Sequence, residues 1–193
     1  MTWLVLGLVL FLGMHSSRVF AEASRGRFIA ARGEGAWKGL YSIVSLAGLV
    51  LIVIGYGAAR GQPVLLWNPP TAMRHLAALL TLLAFILLAA AYVPGNAIKA
   101  KLHHPMVLGV KVWALSHLLA NQFVHDLLLF GGFLLWSILS FRAARQRDRA
   151  AGTVYAAGSI GPTIAVVAIG VVAWAIFAFW AHGVLFGVKP FGR

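Results

Sequence analysis

The sequence predicts an all-α integral membrane protein, a bundle of about six transmembrane helices with little chain outside the bilayer. Two observations carry that expectation. Of 193 residues, 61% are hydrophobic and 10% charged, with a mean hydropathy of +0.89; that is too little polar side chain to cover a globule in water. The apolar residues also fall into runs near the roughly 20 residues a helix needs to cross the hydrocarbon core. With short connections these runs use almost the whole chain, so residues 1–193 read as a single transmembrane domain. Helices suit lipid because each satisfies its own backbone polar groups.

Each run follows from its residues. The first, Thr2 to Phe20, is interrupted late by His15, Ser16, Ser17 and Arg18. No Lys or Arg precedes it, and Phe20, Ala21, Glu22, Ala23 make a poor cleavage site, so it reads as a retained helix. The others are Leu40 to Ala59, Ala72 to Val93, Pro105 to Asn121, Val124 to Phe141 and Pro162 to Gly187. Only a few residues around Gln122 separate the fourth from the fifth, which leaves a re-entrant hairpin open as an alternative to one crossing. Segments rich in Gly, Pro and charge lie between runs and are connections: Arg60 to Thr71, Pro94 to His104, and Arg142 to Gly161. No internal repeat relates the first three runs to the last three.

The net charge of +12 sits in those connections, where it orients the chain and meets anionic headgroups; nucleic acid is not the expected partner. The first, third and fifth connections and their flanks hold Arg18, Arg25, Arg27, Arg32, Lys38, Lys99, Lys101, Arg142, Arg145, Arg147 and Arg149. The opposite side holds Arg60, Arg74, Lys189 and Arg193, and Lys111 lies within the fourth run. This asymmetry places the odd connections in the cytoplasm and both termini outside. With no Cys in the chain, metal chemistry has to rest on His, Asp, Glu or a cofactor's own nitrogens.

Polar side chains inside spans are expensive and carry functional hypotheses by default. His117 is the most deeply placed His, near mid-membrane, with Trp113 at i−4 and Asn121 at i+4 on the same helical face. An imidazole there serves either an interhelical hydrogen bond or a metal or cofactor, with Trp113 packing on a macrocycle or substrate. His15 is a second intramembrane imidazole, counted several Å nearer the cytoplasm; His75 is the other candidate for a second ligand. Arg74 beside His75 is either an interfacial anchor or a partner for a carboxylate, as is Arg18 on the other face. His104 precedes Pro105 at a helix start, a capping position that could also face a cofactor. His125 and Asp126 mark a wet outer helix end, where an acid suits the helix dipole.

Three stretches carry a likeness: HSSR with GEGAWKGLYSIVSLAG, then RHLAALLTLLAFILLAAAYVPGN, then KLHHPMVLGVKVWALSHLLAN. Together they resemble the NnrU family of bacterial membrane proteins over most of the chain. The resemblance implies a bacterial inner-membrane protein associated with denitrification and the handling of nitric oxide and nitrite. The same stretches are similar to the haem-dependent 15-cis-zeta-carotene isomerases. That likeness implies haem b as cofactor, with its two iron-binding His falling on His15 and His117. Ala114 stands where the isomerases carry a Cys, so ligand exchange through a thiolate is not implied here. HHPMVLG is also similar to the RHPxxxG motif of membrane methyltransferases through His104, Pro105 and Gly109, although His103 replaces the Arg and the acidic pair is missing. The expected partners are thus haem, lipid, and nitric oxide or a hydrophobic small molecule. The rivals are an enzyme acting on such a molecule and a non-catalytic partner of a respiratory complex.

Overall fold

In the computed structural model, which describes residues 1–191, every apolar run is helical and no β-strand occurs among the described residues. Arg193, counted above on the outer side, lies outside them. In order the helices are α1 (Thr2–His15), α2 (Ser17–Phe20), α3 (Glu22–Arg60), α4 (Thr71–Tyr92), α5 (Ala97–Leu102), α6 (Pro105–Ala120), α7 (Val124–Ala150), α8 (Ile160–Ile176) and α9 (His182–Phe186), with a π-helical turn at Phe177–Ala181. Four stretches are long and apolar enough to cross a membrane: α3, α4, α7 and Ile160–Phe186. α1 and α6 are shorter apolar helices of 14 and 16 residues. This is an all-α membrane protein.

Several boundaries differ from those expected. The first run ends at His15, because Ser16 turns the backbone before the short α2. α3 begins at Glu22, far ahead of the expected Leu40, and runs for 39 residues with one break at Gly33 (φ 84°, ψ 160°). Those angles lie in a region open almost only to glycine. Gly35 and Gly39 continue the helix. α7 continues to Ala150 through residues expected in a connection, and α5 forms inside another.

The chain forms two compact units. The first comprises Met1–Asn68 and Asn121–Ala143. Within it α1 and α3 run antiparallel at backbone contact: a Cβ on Gly48 would lie 2.7 Å from Phe11 N, and one on Gly55 2.2 Å from Leu4 N. Such small residues let helices in lipid approach closely. Leu4, Leu8 and Ile52 form the buried core, joined by Phe11, Leu12, Tyr56, Leu128, Leu129 and Phe133. The segment after α3 clips the segment before α7 through Leu66 N to Gln122 O at 2.8 Å and Val124 N to Val64 O at 2.9 Å.

The second unit comprises Pro69–Ala120 and the chain from Ala144 onward. α4 packs against α6 and α8. At Gly170 a Cβ would lie 2.6 Å from Ile86 Cα, so α8 crosses α4 in close contact. Asn96, 1% exposed, organises the α4–α5 turn: its amide donates to Ala90 O and Val93 O, and its oxygen accepts from Lys99 N at the start of α5.

Candidate cofactor site

His15 is the last residue of α1 and belongs to the first unit. Its Nδ1 donates to the carbonyl of Phe11, one turn earlier, at 2.7 Å. Because a carbonyl oxygen only accepts, Nδ1 carries the proton and, in the neutral ring, Nε2 carries the lone pair. Aromatic rings surround the imidazole. Phe11 stacks on it at 4.1 Å between centroids, Tyr41 lies at 5.0 Å and Trp136 meets it edge-on at 6.0 Å. Trp136 Nε1 and, one turn further along α7, Ser140 Oγ are buried with no hydrogen-bond partner among the described residues.

His15 also lines a cleft of about 280 Å³ whose wall carries Arg18, Arg25, Lys38, Trp37, Tyr41 and Glu34. The break at Gly33 folds residues 22–32 so that Phe28 meets Trp37 at 5.7 Å and the Arg25 guanidinium lies 5.9 Å from the Trp37 ring. Glu22 pairs with Arg18 (3.6 Å) and Arg25 (3.1 Å), and Glu34 with Lys38 (3.1 Å). Of these residues only His15 and Arg18 were expected at a site. Trp37, Tyr41 and Lys38 lie in the GEGAWKGLY stretch, whose Trp, Lys and Tyr spacing gave the available signal.

His117 lies in α6, in the second unit, and repeats the arrangement of His15. Its Nδ1 donates to Trp113 O at 2.9 Å, again putting the neutral ring's lone pair on Nε2, and the Trp113 ring stands 5.2 Å away. Ser116 Oγ, which donates to Trp113 O, also approaches Nδ1 at 3.3 Å. α6 ends at Ala120, and the backbone carbonyl of Asn121, the next residue, accepts from Trp67 Nε1 at 2.9 Å within the first unit. Arg74 and His75 are exposed in the first turn of α4.

His104 lies elsewhere in the second unit, in a polar cluster the sequence did not reveal. Its Nε2 donates to Asp148 Oδ2 at 2.7 Å, and Tyr155 OH donates to the same oxygen at 3.0 Å. His103 stacks on Tyr155 at 4.0 Å and accepts from Arg145 through Nδ1. In the first unit, Asp126 is not at a wet helix end: it is 5% exposed, accepts from Tyr56 OH at 2.6 Å and caps α7 through Phe123 N at 3.1 Å. His125 beside it is 2% exposed and its Nδ1 has no partner among the described residues.

No group of three or more His, Cys, Asp or Glu able to hold a metal ion occurs among the described residues. Neither a curated protein nor a solved structure matches the chain. The model of the family described as NnrU protein matches residues 3–190, nearly the entire chain, so this membrane protein belongs to the NnrU family.

Proposed function

We propose that this NnrU protein binds haem b through His15 and His117 and serves nitrogen-oxide metabolism in the bacterial inner membrane, with both termini in the periplasm. The observation that carries the reading is the shared state of these two imidazoles. Each has Nδ1 tied to the carbonyl one turn earlier, which fixes the ring's orientation and its tautomer. The surroundings of His15 fit a haem: aromatic walls, buried donors without partners at Trp136 and Ser140, and cations in the adjoining cleft. Trp113 offers a flat apolar surface beside His117.

His15 and His117 would hold the haem, which would supply one-electron redox chemistry and an iron able to take nitric oxide. The chain's own contribution is to orient the two imidazoles. The nitrogen-oxide assignment rests on the family resemblance. The full-length protein, purified in neutral detergent, should carry a Soret band. A preparation that stays colourless after haem is added contradicts the proposal and favours a non-catalytic partner of a respiratory complex.

A further inference from the structure

We propose that the cleft beside His15 recognises carboxylates, with Arg25 and Lys38, on either side of the Gly33 break, pairing with the two propionates of the haem. This inference rests on the haem reading above. The cleft wall carries Arg18, Arg25 and Lys38 with Glu34, and Glu22 pairs with Arg18 and Arg25, so three cations face two carboxylates. The remaining positive charge favours an anionic group at the edge of an otherwise apolar ring. Arg25 is the best prepared of the three. Its side chain is 25% exposed, anchored by Glu22 at 3.1 Å and placed over the Trp37 ring, so little freedom is lost when it takes a carboxylate. Glu34 holds Lys38 at 3.1 Å and acts as an internal competitor for the cation a propionate would use.

The charges predict effects of opposite sign. Haemin and its dimethyl ester, which lacks the two negative charges, are titrated into the apo full-length protein in neutral detergent. Wild type should prefer haemin, and the preference should shrink as salt rises. Arg25→Gln and Lys38→Gln should each weaken haemin by about two- to five-fold, the range of solvent-exposed ion pairs, and leave the ester unchanged. Glu34→Gln should tighten haemin. Size exclusion of each variant checks folding. Equal affinity of wild type for the two forms, or weaker haemin binding in Glu34→Gln, overturns the cleft assignment while leaving haem in place. Unchanged binding of both forms by a folded His15→Ala protein removes His15 as ligand and the cleft assignment with it. Binding of neither form by wild type overturns both readings.

Discussion

Tyr155 donates its phenol to Asp148 Oδ2 at 3.0 Å, the same oxygen that accepts from His104 Nε2 at 2.7 Å. One carboxylate thus ties the connection before α8 to the end of α7 and to the start of α6. Burial, then the hydrogen bond to Asp148 and its negative charge, push the Tyr155 phenol above its usual range. A folded-state pKa raised above the unfolded value contributes stability that is fully present below about pH 10, the ordinary tyrosine value, and is lost as pH rises through the folded value. Unfolding in detergent should therefore become easier on the alkaline side. Tyr155→Phe should flatten that dependence, and an unchanged alkaline profile would show that the tie carries no stability.

Tyr56 and Asp126 join α3 to α7 in the first unit through a 2.6 Å hydrogen bond at a nearly buried carboxyl. Tyr56→Phe removes the donor and leaves the acceptor short of a partner, a loss of about 1–3 kcal/mol. The thermal midpoint of Tyr56→Phe should fall, and that of Tyr92→Phe, in an exposed position, should not.

The α1–α3 contact requires glycine where backbones meet. Gly55→Val drives a side chain into Leu4 N, where a Cβ already stands at 2.2 Å, and overpacking of this kind costs about 1–3 kcal/mol or more. Gly13, around which nothing lies within 4 Å of a Cβ, should accept Ala with little change. Chemical unfolding of the two variants in detergent separates the cases, and equal stability would contradict the packing.

At Gly33 the backbone conformation itself requires glycine (φ 84°, ψ 160°). Gly33→Ala should cost about 1–3 kcal/mol, or straighten the break and carry Arg25 away from Trp37. Trp37 fluorescence reports the second outcome directly. A variant with unaltered fluorescence and stability would show that the break does not shape the cleft.

Much of the architecture was legible in the sequence. Apolar run length found the helices, and inside those runs His15 and His117 stood out as costly polar groups. What escaped depended on partners distant in sequence. The pairing of His104 with Asp148 spans 44 positions, and no local spacing marks it. Asn121 continued the helical spacing of Trp113 and His117, yet the backbone bonds that Gln122 and Val124 make to the segment after α3 end the pattern there. The length of α3 was hidden because Gly33, Gly35 and Gly39 look alike as helix breakers, and only Gly33 leaves helical geometry.

The central claim is that His15 and His117 hold haem, and the reduced-minus-oxidised spectrum, with the haem-to-protein ratio of matched variants, tests it most directly. Full-length wild type, His15→Ala, His117→Ala and His103→Ala are purified in detergent after haem loading, with size exclusion as the folding control. His103 accepts from Arg145 in a separate cluster, so its removal should leave haem content and Soret position unchanged. His117→Ala should abolish haem retention, and His15→Ala should reduce haem content or shift the Soret band. A folded His117→Ala protein with the wild-type haem content and spectrum would contradict the account.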